Sequence, residues 1–104
     1  MEHLSPQQAS ELLNEQACLL LDVREAMEVE LAALPDSLHI PMAELPRQLD
    51  QIPRDATIVV MCHHGVRSAM AADFLERNGF SRVFNLDGGI DAWSCSVDEG
   101  IPRY

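Results

Sequence analysis

Lysine is absent from this 104-residue sequence, and all seven of its basic residues are arginine. Acidic residues outnumber them, with 17 aspartates and glutamates and a formal net charge of −10. The acidic excess is concentrated in residues 1–50, which carry ten acidic and two basic residues. Nucleic-acid binding requires clustered cationic side chains. The composition therefore argues against a DNA- or RNA-binding protein and fits a soluble protein or one with a basic partner.

Cysteines are few and apolar runs are short. The three cysteines, Cys18, Cys62 and Cys95, are odd in number and widely spaced, which argues against a disulfide framework and favours a reducing compartment. No apolar run approaches the roughly 20 residues that span a bilayer. The first residues also lack the basic and apolar segments of a secretory signal. We therefore expect a cytoplasmic protein without membrane contact.

The hydrophobic content and the alternation of segments are typical of one folded domain over residues 1–104. Hydrophobic residues make up 47% of the chain, enough for a core at this length. Short apolar segments predict strands, and periodic segments between them predict helices, one of them capped by Ser5. Such alternation indicates a mostly parallel sheet with helices on both faces. The predicted strands are 18–21, 38–40, 57–61 and 83–86. The later predicted helices are 27–31, 43–49, 68–78 and 90–93, and the one at 43–49 is expected to be interrupted or to begin near Pro46.

The most informative segment is the loop 62–68, directly after the apolar strand at 57–61. It places the Cys62 thiol at a strand end and just before a helix, where backbone N–H groups stabilise an anionic sulfur. Gly65 allows the tight curvature of such a loop, and Arg67 supplies a fixed positive charge that would attract a small dianion. We interpret Cys62 as a catalytic nucleophile; the alternative is an inert, buried cysteine.

Four segments, taken together, resemble the signatures of a single-domain rhodanese. They are residues 22–25, 38–41, 62–68 and 85–93, and they occur in the order expected for that family. Each segment alone is a weak signal, but four in sequence, ending in Gly-Gly-Ile-Asp-Ala-Trp, are a strong one. The resemblance covers nearly the whole chain, from about residue 5 to residue 102.

The resemblance implies a rhodanese-like α/β fold, with about five strands, and a sulfurtransferase. In rhodaneses the loop cysteine takes the outer sulfur of a donor such as thiosulfate, becomes a persulfide and passes the sulfur to cyanide or a thiol. By that analogy Cys62 is the nucleophile, Arg67 binds the anionic end of the donor, and Asp22 and Arg24 give structural support. The residues implied to cradle the persulfide are His63, His64, Gly65, Val66, Arg67 and Ser68.

The resemblance further implies no metal and no cofactor beyond the covalent persulfide. The partners expected are a small sulfur-donor anion and an acceptor that is a thiol or a protein, and the chain is expected to be a monomer. A second hypothesis is a rhodanese-like docking module without chemistry, but such modules typically lack the loop cysteine. Phosphatases and arsenate reductases on this fold are a third. They place five residues between cysteine and arginine, whereas four separate Cys62 from Arg67.

Other residues carry weaker hypotheses. The adjacent His63 and His64 would form a poor zinc site with Cys62, because three neighbouring residues rarely surround one tetrahedral ion. Either imidazole could instead tune the thiolate or simply face solvent. Cys95 could resolve a persulfide on Cys62 if the two lie close together. Cys18 is predicted to be buried and inert, and Trp93 to pack in the core.

Overall fold

The computed structural model describes residues 1–15 and 17–104 and has an α/β fold. Within these residues the strands form one sheet whose pairings are parallel. The strands are β1 (Glu2–Leu4), β2 (Cys18–Asp22), β3 (Leu38–His39), β4 (Thr57–Met61) and β5 (Arg82–Leu86). They lie in the order β1-β5-β4-β2-β3. The expected fold class, with a five-stranded parallel sheet, is confirmed.

Four α-helices and two short 3₁₀ segments connect the strands within the described ranges. The helices are α1 (Pro6–Glu15), α2 (Ala26–Leu31), α3 (Val66–Arg77) and α4 (Gly89–Ser96), and the 3₁₀ segments are Met42–Arg47 and Leu49–Gln51. In the part of the chain that the structure describes, no helix has the length and apolar character to cross a membrane.

The central strand β4 is buried along its whole length, and its side chains alternate between two cores. Ile58 and Val60 face a cluster that includes Ala71, Ala72 and Leu75 of α3. Val59 and Met61 face a second cluster that includes Ala9 of α1 and Ile90 of α4. Because side chains alternate across a strand, helices cover both faces of the sheet, as predicted, and residue 62 emerges at the sheet's carboxyl edge.

The start of α1 follows the sequence prediction. The Ser5 hydroxyl accepts a hydrogen bond from the Gln8 amide at 3.1 Å, and the Gln8 side chain accepts one from the Ser5 amide at 2.9 Å. This reciprocal capping box satisfies two amides that the helix itself leaves free.

Several predicted element boundaries are wrong. The predicted helix at 43–49 is instead two 3₁₀ segments, because Pro46 has no N–H and cannot sit inside an α-helix without a clash. Helix α3 begins at Val66 rather than Ser68. Strand β3 ends one residue before Ile40. Strand β1 was not predicted; its three residues, largely exposed, are ordered by pairing with β5.

Candidate active site

Cys62 lies one residue beyond β4, and the residue is only 1% exposed. Its sulfur faces the loop. It accepts hydrogen bonds from the Gly65 amide at 3.1 Å and from the Ser68 amide at 3.3 Å. The Ser68 hydroxyl oxygen lies 3.3 Å from the same sulfur. Amide dipoles that converge on one sulfur stabilise a negative charge there. The loop therefore has the geometry of an anion cradle built around a thiol.

Glycine is required at position 65 for two reasons. Its φ of 97° lies in the left-handed region, which residues with a side chain rarely adopt. A Cβ there would also stand 3.0 Å from the Gly88 amide nitrogen and 3.3 Å from the Leu86 carbonyl oxygen. The left-handed turn directs the Gly65 amide at the sulfur and lets α3 begin at the next residue.

Asn85, on β5, fixes the orientation of the Ser68 hydroxyl. The hydroxyl donates to Asn85 Oδ1 at 2.5 Å, so its lone pairs remain to accept the Cys62 S–H. The Asn85 amide nitrogen donates to the Gly65 carbonyl at 3.3 Å and to Asp87 Oδ1 at 2.9 Å. Asn85 was not predicted to have a role of its own, although a polar residue within a buried strand is a signal of a structured polar network.

The amino end of α4 docks against the backbone of the cysteine loop. The Ile90 amide donates to the Cys62 carbonyl at 2.9 Å, and the Asp91 amide donates to the His63 carbonyl at 3.2 Å. Gly89 makes this approach possible because a Cβ there would lie 2.4 Å from both carbonyl oxygens. The Gly-Gly segment thus serves the loop directly, although it lies more than 20 residues away in sequence.

The Arg67 side chain does not lie free at the loop. Its guanidinium binds Glu28 of α2 in a bidentate pair, with both N–O distances at 2.7 Å. The Arg67 guanidinium lowers the pKa of Glu28 to about 2, so this carboxylate is ionised at neutral pH. Glu28 was not among the residues predicted to form the site. The role of Arg67 in binding a donor anion stays a prediction, and any such anion meets a paired cation.

The two histidines of the loop and Tyr104 form an aromatic cluster, in which His63 lies between the other two rings. The His63 ring lies 3.9 Å from the Tyr104 ring at an interplanar angle of 10° and 3.9 Å from the His64 ring at 32°. Within the described residues, the buried His63 Nε2 atom has no hydrogen-bond partner. His64 is exposed, with its Nδ1 atom 3.9 Å from Asp91 Oδ2. Val66, the remaining predicted loop residue, is exposed at the start of α3.

Tyr104 also connects the loop to the predicted supporting pair. Its hydroxyl accepts from Arg24 at 2.8 Å and donates to Glu28 at 3.0 Å. Nothing in the sequence pattern marked Tyr104, because a single tyrosine far from every motif has no local signature.

Asp22 and Arg24 form a fully buried ion pair behind the loop, with an N–O distance of 2.7 Å. The other guanidinium N–H groups donate to the Tyr104 hydroxyl and to the carbonyls of Glu28 and Ala32. The pair therefore ties the end of β2 to the carboxyl end of α2. Their predicted supporting role is consistent with this placement.

The other two cysteines lie in different surroundings. Cys18, predicted to be buried, is half-buried; its thiol donates to the Leu12 carbonyl at 3.6 Å, and burial raises the pKa of the Cys18 thiol. Cys95 is exposed on α4.

Trp93, predicted in the core, is half-buried at the edge of the second cluster. Across residues 1–15 and 17–104, no three histidine, cysteine or carboxylate side chains form a candidate metal cluster.

Comparison with known proteins agrees with this architecture. The model of the rhodanese-like domain matches residues 5–95. The chain belongs to the rhodanese-like family. A sulfurtransferase of Allochromatium vinosum is 41% identical over 76 residues, which cover 73% of this chain and 71% of that protein. The thiosulfate sulfurtransferase GlpE of Actinobacillus pleuropneumoniae serotype 5b is 35% identical over 99 residues, which cover 95% and 89%.

A solved structure shows the same fold. The crystal structure of a rhodanese-like domain protein from Staphylococcus aureus superposes with a TM-score of 0.85 at 30% identity, covering 100% of this chain and 99% of that one. The relatives named sulfurtransferases support a sulfurtransferase-type function for this rhodanese-like protein.

A substitution at Gly89 is expected to separate α4 from the cysteine loop. Gly89→Ala should lower the free energy of unfolding by about 2 to 4 kcal/mol, since it combines a positive φ with a backbone clash. Urea denaturation measures this loss. Gly100→Ala is the matched control, because Gly100 has no positive φ and the nearest atom to an added Cβ is a side-chain oxygen of Asp98 rather than backbone. Equal stabilities of the two variants would contradict the docking role.

Proposed function

We propose that this rhodanese-like protein transfers a sulfane sulfur from a donor such as thiosulfate to a thiophilic acceptor through a persulfide on Cys62. The observation that carries the proposal is the convergence of the Gly65 and Ser68 amides on the Cys62 sulfur. The relatives named sulfurtransferases give independent support.

The reaction proceeds in two steps that balance without an external oxidant. The Cys62 thiolate attacks the outer sulfur of thiosulfate; the new S–S bond forms as the old one breaks, and sulfite leaves with the electron pair. Cyanide or a thiolate then attacks the outer sulfur of the persulfide, and Cys62 leaves as the thiolate. Products are thiocyanate or an acceptor persulfide. A covalent intermediate of this kind gives ping-pong kinetics, and neither step requires a resident metal or cofactor.

The residues of the loop have distinct parts in this scheme. The Gly65 and Ser68 amides hold negative charge on the sulfur of Cys62, and the remaining loop amides cradle the added sulfur. Asn85 positions the Ser68 hydroxyl, which accepts the S–H hydrogen bond in the resting thiol. The short spacing between Cys62 and Arg67 suits one added sulfur better than a phosphoryl group, which disfavours phosphatase or arsenate reductase chemistry.

Intact mass spectrometry tests the proposal directly. After incubation with thiosulfate, the protein should gain the mass of one sulfur atom, and peptide mapping should place it on Cys62. Cyanide or a thiol should remove it. Cys62→Ser is the control and should gain nothing. A protein that takes up no sulfur from thiosulfate or from any other sulfane-sulfur donor would overturn the enzyme proposal in favour of a docking module.

A further inference from the structure

Arg67, the cation within the cysteine loop, is neutralised by the carboxylate of Glu28. Arg67 immediately precedes Ser68, whose amide binds the Cys62 sulfur. Both terminal guanidinium nitrogens of Arg67 are occupied by Glu28 at 2.7 Å. A donor that approaches Cys62 therefore meets an ion pair with no net charge, beside the partial positive charge of the α3 amides.

Glu28 is held in place by several donors at once. One carboxylate oxygen accepts the Tyr104 hydroxyl at 3.0 Å, and the other accepts the Glu25 amide at 3.0 Å, in addition to the two bonds from Arg67. Tyr104 is itself fixed by Arg24 and by its stack on the His63 ring. For Glu28 to swing away and free Arg67, the carboxylate would also have to give up its bonds from the Tyr104 hydroxyl and the Glu25 amide.

The pair is only partly open to solvent, so its charges are incompletely screened. The Glu28 side chain is 16% exposed and the Arg67 side chain 33%. Charges in such surroundings act over short distances more strongly than charges in bulk water. Each additional negative charge on a donor that Arg67 attracts is therefore also repelled by Glu28, whose carboxylate lies 2.7 Å from that guanidinium.

We propose that Glu28, positioned by Tyr104, makes this site selective for monoanionic sulfane-sulfur donors over dianionic thiosulfate. The inference rests on the proposed sulfur transfer through Cys62 and names the donor class of that same site. Glu28 is the residue that determines specificity, and Tyr104 is a positioning residue that acts through it.

Methanethiosulfonate is a suitable monoanionic probe. It presents the same terminal sulfane sulfur as thiosulfate, but a methyl group replaces one charged oxygen. The Cys62 thiolate attacks the terminal sulfur, the donor S–S bond breaks, and methanesulfinate leaves with the electron pair. The persulfide on Cys62 is the same with either donor, so the step that transfers sulfur to cyanide is identical.

The experiment compares kcat/KM for the two donors at fixed ionic strength, with cyanide as acceptor. Glu28→Gln should raise kcat/KM for thiosulfate about tenfold and that for methanethiosulfonate by no more than about threefold, because it removes one charge from a partly buried pair. Tyr104→Phe removes one hydrogen bond to Glu28. It should raise the ratio of kcat/KM for thiosulfate to kcat/KM for methanethiosulfonate in the same direction, but by less. Glu30→Gln is the matched control: Glu30 is exposed on the same helix α2, and its loss should leave the donor ratio within twofold.

The outcomes separate this inference from the proposed function. If Glu28→Gln and Glu30→Gln give the same donor ratio, or if Glu28→Gln impairs thiosulfate use, the selectivity is wrong while sulfur transfer by the wild-type protein still stands. If the wild-type protein forms no persulfide with either donor, both the selectivity and the sulfurtransferase proposal are wrong.

Discussion

Replacing Cys62 by serine is expected to abolish sulfur transfer while the fold survives. A serine hydroxyl is a far weaker nucleophile than a thiolate at neutral pH and cannot carry the second sulfur as a persulfide. Loss of an essential nucleophile typically lowers turnover by several orders of magnitude, so we expect at least a thousandfold reduction. Thiocyanate formation from thiosulfate and cyanide measures the rate, and circular dichroism verifies the fold.

The other two cysteines provide matched controls for this substitution. Cys95 is exposed, and the Cys18 thiol is bonded to the Leu12 carbonyl with its pKa raised by burial. Cys95→Ser and Cys18→Ser should each retain at least half of the wild-type rate. A Cys62→Ser protein with wild-type activity would remove Cys62 from the chemistry. A strong loss in Cys95→Ser would instead support Cys95 as a resolving thiol.

The elements that sequence predicted well are those whose residues alone decide their structure. Strand β4 is a continuous apolar run that fits burial on both faces of a parallel sheet, and it is wholly buried. The capping box at Ser5 is likewise determined by four consecutive residues. Because parallel strands end at one edge, the position of Cys62 at the sheet's carboxyl edge followed from these local signals.

The parts that sequence could not predict depend on partners distant in the chain. Strand β1 exists through its pairing with β5, and its own pattern carries no alternation. The Arg67 side chain looks like a free cation in sequence, yet it binds Glu28, 39 residues away. Tyr104 contacts the loop across 41 positions. Such contacts arise from tertiary packing, which no local periodicity encodes.

Substituting Asp22 by asparagine is expected to be strongly destabilising, although the change is conservative in shape. The Asp22–Arg24 pair is wholly buried, with an N–O distance of 2.7 Å. Asparagine preserves the shape but removes the charge, and it leaves the Arg24 cation in the core without its counter-ion. Breaking a buried pair in this way costs about 3 to 5 kcal/mol. Urea denaturation should show that loss as a lower midpoint.

An exposed ion pair of nearly the same length supplies the control. Asp73 and Arg77 on α3 lie 2.6 Å apart, but their side chains are 47% and 77% exposed. Asp73→Asn should therefore cost no more than about 0.5 kcal/mol, since solvent screens the charges and side-chain entropy offsets their attraction. Burial, not ion-pair geometry, is the difference between the two substitutions. If Asp22→Asn costs no more than Asp73→Asn, Arg24 finds sufficient compensation in the Glu28 and Ala32 carbonyls and the Tyr104 hydroxyl, and Asp22 is not what supports the site.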